Sequence, residues 1–383
     1  MIPRATNTMR ILFTKQQPLT APGGETSHLF ALANQMRWMG NEIYLMPVTD
    51  SPTPASLWPP AFTRDVPPFG LHHLFDSFSL SQAVSAFVKD TPVDAVISWQ
   101  YETAWLPRRG NILAVVAAAP FGFLKKRAES SPSRRLAYHF FHFRQLLQAD
   151  VIYVASKFAR NELIEHLGLP TEKIVVIPIG VDDIFQPPLA PRSGKLQKFI
   201  FTGSLEPIKG IFDAIAALGI VYQQGYADWA LKIAGWGDES AVRAAARQRG
   251  IESKITFTGP LERSSLAAEL ARADLAILPS HTETFGLSIA EAQACGLPVV
   301  SYRTGAIPEV VADGDSALLV KPFDQRQLAN CIIRLVDEPD FAREMGQKGQ
   351  KRIRERFLWG RTVCLMLEDL QLRCRLGRKE LAR

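Results

Sequence analysis

The segment DLAILPSHTETFGLSIAEAQACGLPVVSY, from Asp274 to Tyr302, contains the pattern that decides the fold. Its opening run, DLAILPS, has the length and apolar composition of a buried strand. The polar loop HTETFG follows, LSIAEAQAC is a helical pattern that GLP ends, and PVVSY is a second buried strand. Two buried strands joined by a helix predict one unit of a parallel sheet that is covered on both faces.

The same alternation of apolar strands and helical patterns runs through most of the chain. It predicts an α/β fold of two doubly wound, Rossmann-like domains that face a central cleft. The Pro-rich stretch QPPLAPRSGKLQ predicts a linker at 186–197 between a domain at 1–185 and a domain at 198–355. We expect 356–383 to be a C-terminal helix that crosses back to the first domain. The apolar runs begin at residues 10, 43, 94, 112, 151, 173, 198, 231, 254, 274, 298 and 317.

Composition indicates an ordinary folded protein, because 47% of the 383 residues are hydrophobic and 21% are charged. No apolar run reaches the roughly 18–20 residues of a membrane span, and the N-terminus has no apolar signal core. We therefore expect a cytoplasmic protein. The cysteines form no CxxC pair and no histidine cluster has zinc-ligand spacing, so we expect reduced cysteines and no metal site.

The formal net charge of +6 is unevenly distributed. Between residues 108 and 144 there are eight Lys and Arg residues and one acidic residue, Glu129. This segment is a candidate for peripheral contact with anionic lipid at the inner membrane face, or for an acidic acceptor. We predict no nucleic-acid partner. The aromatic stretch at 138–147 suits membrane docking or core packing, and its helical spacing favours the core.

The loop and helix after the strand at 274 predict a nucleotide-sugar site. Unpaired first-turn amides around Gly286 and Leu287, together with the helix dipole, favour a phosphate, and Gly286 lets it approach the backbone. Glu283 precedes this anion site, and Glu291 lies in the second helical turn. A carboxylate that accepts hydrogen bonds from two adjacent hydroxyls is suited to binding a ribose. The other carboxylate of the pair can then bind the sugar. The alternative is that both glutamates are solvated charges of a loop and a helix.

The segment resembles the E-x7-E motif of the retaining family 4 glycosyltransferases, which have the GT-B fold. PGGETSHLFALANQMRWMGNEIYL is similar to the first loop and helix of that family. VIYVASKFARNEL and VVIPIGVDDIF resemble the end of its N-terminal domain, and FTGSLEPIKG resembles its phosphate-contacting loop. TGAIPEVVADGDSALLV is similar to its sugar-side loop. The likeness spans most of the chain, and the order of these pieces makes it specific.

The resemblance implies roles for individual residues. It places Glu283 on the hydroxyls of the transferred sugar, Glu291 on the ribose and Lys209 on the diphosphate, and it identifies Lys209 and Glu283 as the catalytic pair. A lysine ammonium there would stabilise charge that grows on the leaving phosphate. It also implies an acceptor site in the first domain and a donor site in the second. The donor-binding residues it implies are Gly23, Gly24, Ser204, Lys209, Glu283, Phe285, Gly286, Leu287 and Glu291.

The implied activity is transfer of a hexose-type sugar, with retention, from a nucleoside diphosphate to an acceptor hydroxyl. UDP is the favoured nucleotide, and no cofactor or metal is expected. The acceptor would be a glycan, a lipid-linked saccharide or a small molecule. In this family the departing phosphate oxygen is thought to take the acceptor's proton, so no strong base is expected.

Three positions depart from the family pattern. Ser204 stands where the family usually has an arginine, Ile179 where it has an asparagine, and 117–120 lack the histidine of many members. Arg303 is a candidate for the missing cation. The departures leave open a non-catalytic subunit that binds a nucleotide-sugar, and the architecture also leaves open a nucleotide-sugar epimerase. His281 is a candidate for ligand contact or loop packing, and His28 for packing in the first helix.

Overall fold

The structure is a computed structural model that describes residues 8–15, 24–49, 53–55, 58–63, 65–66, 73–99, 106, 111–117, 143–190, 192 and 194–381. The chain forms two compact units. The first contains Met1–Pro178 together with Trp359–Arg383, and the second is Ile179–Leu358. Each unit is built around its own parallel sheet, as the alternating pattern predicts.

The first unit has a six-stranded sheet with strands in the order β2-β1-β3-β4-β5-β6. All neighbouring strands are parallel. The central strands are buried along nearly their whole length, which explains why they are continuous apolar runs rather than alternating ones. The strands are β1 Arg10–Lys15, β2 Glu42–Pro47, β3 Ala95–Trp99, β4 Ile112–Val116, β5 Val151–Val154 and β6 Ile174–Val176.

Helices cover the sheet of the first unit. The chain termini of this unit meet in one core cluster, where side chains of β1 and the first helix pack against Val363 and Met366 of the last helix. Ser156 caps the third helix by accepting from the Ala159 amide, and Gly168 ends it in the left-handed region. The helices are α1 Gly24–Trp38, α2 His73–Asp90 and α3 Lys157–Leu167, with a helical segment at 143–148 and short 3-10 turns at Pro60–Phe62 and Thr171–Lys173.

The second unit has a six-stranded parallel sheet in the order β12-β11-β10-β7-β8-β9. The strand from the opening segment, β10, is central and lies between β11 and β7. The strands are β7 Lys198–Thr202, β8 Ala230–Ala234, β9 Ile255–Gly259, β10 Leu275–Ile277, β11 Val299–Tyr302 and β12 Leu318–Val320. Each of the twelve strands in the described ranges lies at a predicted apolar run, so the predicted fold class is confirmed.

The helices of the second unit follow the strands as predicted. Asp238 and Asp324 cap two of them through their carboxylates. The helices are α4 Ile211–Gln223, α5 Glu239–Gln248, α6 Arg263–Arg272, α7 Leu287–Ala294, α8 Ile307–Val310, α9 Gln325–Asp337 and α10 Pro339–Arg356, with 3-10 turns at Pro207–Lys209 and Glu252–Lys254. The last helix, α11 Trp359–Leu381, belongs to the first unit.

The unit boundaries differ from the predicted domain boundaries. The second unit begins at Ile179 rather than after a linker at 186–197, because the Pro-rich stretch docks onto it. The guanidinium of Arg192 donates to carbonyl oxygens of five residues at the ends of α6 and α7, at 2.7–3.3 Å. Phe185 is buried and lies under the guanidinium of Arg263. The proline-rich composition here therefore marks an irregular segment that packs against the second unit.

Several predictions from the sequence fall on residues outside the described ranges. Gly23 is one, and most of the basic segment 108–144 and of the aromatic stretch 138–147 are others. The four cysteines, all within the described ranges, form no disulfide bond there. No helix in the described ranges combines enough residues with enough apolar character to span a bilayer. Within the same ranges, no group of three or more His, Cys, Asp or Glu side chains is arranged to hold a metal ion.

Candidate functional site

The site begins where β10 ends at the carboxyl edge of the second sheet. A partly buried loop carries the chain from Leu278 to Gly286, which has a φ of 95° and starts α7 in a left-handed conformation. Only glycine adopts this conformation readily, so the sharp entry into the helix depends on it. No side chain caps α7. The amides of Leu287 and Ser288, in its first turn, are therefore offered to an anionic ligand.

Lys209 lies beside the loop that precedes α7. Two backbone contacts hold the 3-10 turn Pro207–Lys209 against that loop. The left-handed Gly210 packs so closely on Pro279 that a Cβ there would lie 1.9 Å from the Pro279 carbonyl oxygen. The His281 amide also donates to the carbonyl of Ile208 at 2.9 Å. As a result, Lys209 Nζ lies 2.7 Å from Glu283 Oε1, and the structure joins the two predicted catalytic residues in one ion pair.

The backbone of Glu283 is fixed from its other side by the loop after β11. The Ala306 amide donates to the Glu283 carbonyl at 2.9 Å, and a Cβ on Gly305 would lie 2.2 Å from that same oxygen. The hydroxyl of Thr304 donates to the carbonyl of Ser280 at 2.8 Å. The Glu283 side chain is only 15% exposed, whereas that of Lys209 is 32% exposed. Glu283 is therefore positioned by a rigid frame.

Glu291, the second glutamate of the motif, lies in α7 and is 5% exposed. Its Oε1 is 3.2 Å from Nη1 of Arg263, which also lies 3.5 Å from Asp182 and over the ring of Phe185. Burial raises the pKa of Glu291 to about 7, and the charge of Arg263 opposes that shift. Glu291 thus has its own cationic partner, separate from Lys209.

The sequence analysis did not identify Arg263 as a residue of the site. It is the first residue of α6, and LERSS contains no motif that distinguishes this arginine from a solvated one. Its pairing with Glu291 joins positions 28 apart in the chain and depends on how α6 and α7 pack. Such a partner is visible only after folding.

The sequence analysis also did not identify a network of polar side chains that surrounds Asp213, a buried residue in the first turn of α4. Its carboxylate accepts from the Tyr302 hydroxyl at 3.1 Å and from the Gln325 amide at 2.9 Å. The His281 Nε2 lies 2.7 Å from its other oxygen. Burial and the nearby Asp213 raise the pKa of Tyr302 well above its usual value. His281 is therefore anchored by its ring as well as by its amide, and it steadies the loop that carries Glu283.

Other predicted site residues have different surroundings. Ser204 is buried, and its hydroxyl donates to Glu206 at 2.9 Å. The side chain of Phe285, a predicted donor-binding residue, is 3% exposed, and its ring lies 5.6 Å from that of Phe357. Arg303, the candidate for the missing cation, pairs with Asp313. Gly24 is the first residue of α1 in the first unit.

Comparison with protein families agrees with this fold. Residues 22–184 match the model of Glycosyltransferase Family 4, and residues 186–352 match the model of Glycosyl transferases group 1. The chain belongs to the family 4 glycosyltransferases, with the GT-B fold. The family resemblance drawn from the motifs is thereby confirmed.

Curated members of this glycosyltransferase family match the chain at moderate identity. A glycogen synthase from Mycobacterium tuberculosis is 32% identical over 236 residues, which are 61% of this chain and 56% of that protein. A D-inositol 3-phosphate glycosyltransferase from Acidothermus cellulolyticus is 32% identical over 243 residues, covering 57% of this chain and 54% of that protein. The chain spans about half the length of the curated relatives it matches.

Solved structures with this glycosyltransferase fold match almost the whole chain at low identity. A sucrose-phosphate synthase from Thermosynechococcus elongatus has a TM-score of 0.77 at 19% identity and covers 98% of this chain and 99% of its own. A protein from Anabaena in complex with UDP-glucose has a TM-score of 0.73 at 20% identity, with 95% and 99% covered. These likenesses describe the fold.

Proposed function

We propose that this family 4 glycosyltransferase transfers a hexose-type sugar from a nucleoside-diphosphate sugar, with UDP as the nucleotide, to a hydroxyl acceptor, with retention. The observation that carries the proposal is the ion pair between Lys209 and Glu283, 2.7 Å apart, beside the uncapped start of α7. A cation and helix amides suit a diphosphate, and a carboxylate beside them suits sugar hydroxyls. The Anabaena structure of similar fold contains UDP-glucose, which supports the choice of nucleotide.

In this proposal Lys209 acts on the leaving group. As the bond between the sugar and the phosphate breaks, negative charge grows on the diphosphate, and an ammonium fixed beside it lowers the barrier. Glu283 orients the sugar through its hydroxyls. The departing phosphate oxygen takes the proton of the attacking hydroxyl, so the new bond forms on the face that the phosphate leaves. The protein contributes position and charge rather than a strong base.

Glu291 binds the ribose in this proposal. Its oxygens accept from the two adjacent ribose hydroxyls, and Arg263 helps to keep the buried carboxyl ionised for that task. Arg263 is part of the proposed nucleotide site for this reason.

A two-step experiment tests the function. A thermal-shift screen of UDP-, GDP-, ADP- and dTDP-sugars identifies the donor, because a ligand that binds the folded state raises the melting temperature. Release of nucleotide from that donor is then compared between wild type and Lys209→Met, which we expect to be about 10²–10³-fold slower. The anomeric configuration of the product, read by proton NMR, tests retention. A wild type that no nucleotide-sugar stabilises contradicts the proposal.

A second candidate function is a non-catalytic subunit that binds a nucleotide-sugar. The contact of Ser204 with Glu206 favours it, because an acidic side chain lies near the position where the family usually has an arginine. Glu206→Arg and Ser204→Arg discriminate the two functions. If wild type binds the donor without turnover and Ser204→Arg gains turnover, the non-catalytic assignment is correct. If wild type already turns the donor over, it is excluded.

A further inference from the structure

Phe323, in the loop after β12 of the second unit, has a backbone conformation that its residue type disfavours. Its φ is 66°, and among the described residues it is the one non-glycine with a left-handed backbone. A bulky side chain raises the energy of this conformation, whereas glycine adopts it readily. The Gln325 amide donates to the Phe323 carbonyl at 3.1 Å, so the loop is held in this shape.

Burial does not explain a phenylalanine at this position either. Phe323 is 63% exposed, so its ring gains only a small part of the free energy that burial of an aromatic side chain supplies. Glycine at position 323 would relieve the backbone and would expose no ring. Residues held in disfavoured backbone conformations cluster at sites that bind ligands. The conformation and the exposure together therefore suggest that the ring of Phe323 has a ligand.

The ring of Phe323 rests on two other rings at the same edge of the sheet. Its centroid lies 4.6 Å from that of His281, in an edge contact, and 6.1 Å from that of Tyr302. Tyr302 ends β11, His281 lies in the loop after β10, and these strands are neighbours of each other and of β12. Ligands of parallel sheets bind beyond this carboxyl edge. His281 precedes Glu283 by two positions, so the three rings lie beside the candidate donor site.

His281 adds a polar atom next to the ring of Phe323. Its Nε2 lies 2.7 Å from the carboxylate of Asp213, which fixes the orientation of the imidazole. The side chain is 21% exposed, and no hydrogen bond from the residues that the structure describes reaches Nδ1. A hydroxyl both donates and accepts, so it can pair with Nδ1 in either protonation state of the ring.

We propose that Phe323 and His281 form a subsite for a sugar ring, with the ring of Phe323 as a stacking surface and Nδ1 of His281 on a sugar hydroxyl. The C–H groups on one face of a pyranose pack on a flat aromatic ring, while hydroxyls project from its rim. This subsite rests on the proposed transferase function. Its sugar is the hexose of the donor or a sugar of the acceptor, and the experiment below distinguishes the two.

The first arm of the experiment compares UDP-glucose with UDP by isothermal titration calorimetry of the full chain. If the subsite holds the donor hexose, Phe323→Gly and Phe323→Leu bind UDP-glucose at least about fivefold more weakly and bind UDP as wild type does. Phe323→Tyr keeps a flat ring and should bind both ligands as wild type does. The control is Tyr222→Ala, which removes another exposed aromatic side chain, in the last turn of α4, and should change neither dissociation constant.

The second arm measures binding of methyl α-D-glucopyranoside and maltose, with UDP at saturation, by saturation-transfer difference NMR. If the subsite holds a sugar of the acceptor, Phe323→Gly and Phe323→Leu keep wild-type affinity for UDP-glucose and bind the free sugars at least about fivefold more weakly. His281→Gln keeps an amide that can donate to Asp213 but has no atom in place of Nδ1. It should therefore lose affinity in the same arm as Phe323→Gly.

The melting temperature without ligand separates a binding residue from one that only covers His281 and Tyr302. Phe323→Gly relieves the left-handed backbone, so we expect it to melt between the wild-type temperature and about 4 °C above it. A clearly lower melting temperature overturns the proposal, as does wild-type affinity of Phe323→Gly or Phe323→Leu in both arms. If neither UDP nor UDP-glucose binds wild type, the transferase function fails, and the free-sugar measurement without UDP decides the subsite by itself.

Discussion

The ammonium of Lys209 and the carboxylate of Glu283 are each other's counter-ion, with Nζ and Oε1 2.7 Å apart. The two residues are 74 positions apart in the chain and meet because Gly210 and His281 bind their loops together. In the proposed reaction this pair has to open, since the diphosphate needs the ammonium and the sugar needs the carboxylate. In that reaction, binding of the diphosphate by Lys209 is therefore coupled to binding of the sugar by Glu283.

The first prediction concerns competition between Glu283 and the diphosphate for the ammonium of Lys209. In Glu283→Gln the ammonium of Lys209 is no longer neutralised, so we expect free UDP to bind several-fold more tightly than to wild type. We expect turnover of the UDP-sugar to fall about 10²-fold in the same variant, because the sugar is no longer oriented by a carboxylate. Isothermal titration calorimetry and initial rates measure the two effects. Weaker binding of UDP to Glu283→Gln would show that the pair does not compete with the diphosphate.

The second prediction concerns pH and the ribose. The pKa of Glu291 is raised from its usual 4.5 to about 7, chiefly by burial, so the folded protein keeps this proton at pH values where the unfolded chain has lost it. This group's contribution to stability therefore falls as pH rises from about 4.5 to about 7, by about 3 kcal/mol, and is constant above. A carboxylate that accepts two hydroxyls must be ionised, so nucleotide binding should strengthen over the upper part of that range.

UDP-glucose is the ligand for this measurement, because its diphosphate does not change its ionisation between pH 6 and 8. We expect affinity to rise between those values in wild type and to be weaker and flat in Glu291→Gln. Arg263→Met should move the rise to higher pH, since Arg263 lowers the pKa of Glu291. The same slope in wild type and Glu291→Gln would assign the titration to another group.

The third prediction concerns two glycines that share a left-handed backbone and differ in their surroundings. Gly305 has a φ of 52°, and a Cβ there would lie 2.2 Å from the carbonyl oxygen of Glu283. Gly314 has a φ of 76°, and nothing lies within 4 Å of its Cβ position. Alanine at either position costs about 1–2 kcal/mol of folding stability for the conformation alone.

Only Gly305→Ala should also displace Glu283. We expect it to lower turnover at least about tenfold, because misplacing an orienting group slows reaction strongly. Gly314→Ala should keep wild-type turnover with reduced stability. Urea unfolding and initial rates distinguish the two variants, and equal turnover in both would mean that the frame around Glu283 is not rigid.

The fourth prediction concerns acid stability of the first unit. Burial among Trp99 and Trp359 lowers the pKa of His28 from 6.5 to about 4. The unfolded chain therefore takes up this proton first, so stability is full above about pH 6.5 and falls by up to about 3 kcal/mol as pH drops to about 4. We expect His28→Gln to lose less stability than wild type between pH 7.5 and 4.5.

The matched control is His166→Gln, which removes a half-exposed histidine from α3 in the same unit. The change in pH dependence that this variant shows is the baseline against which His28→Gln is compared. Urea unfolding of the three proteins at both pH values measures the difference, from which the titration of shared carboxyl groups cancels. A wild-type slope in His28→Gln would mean that this histidine takes up its proton equally readily in the folded and the unfolded chain.

The sequence alone determined the two parallel sheets and the sites where their strands lie. A buried parallel strand must be a continuous apolar run, and its crossover helix must follow within a short distance, so both leave a local pattern. It also predicted the entry to α7, because Gly286 and the first helical turn are features of consecutive residues. The family pattern added the order of these pieces.

Only the tertiary structure decided the partners of the charged residues. Lys209 with Glu283, and Arg263 with Glu291, are distant in the chain and carry no periodicity, so they meet only because the packing of loops and helices brings them together. A hydrophobic pattern involves residues that are close in the sequence. The partners of isolated charges instead depend on the topology that this pattern produces.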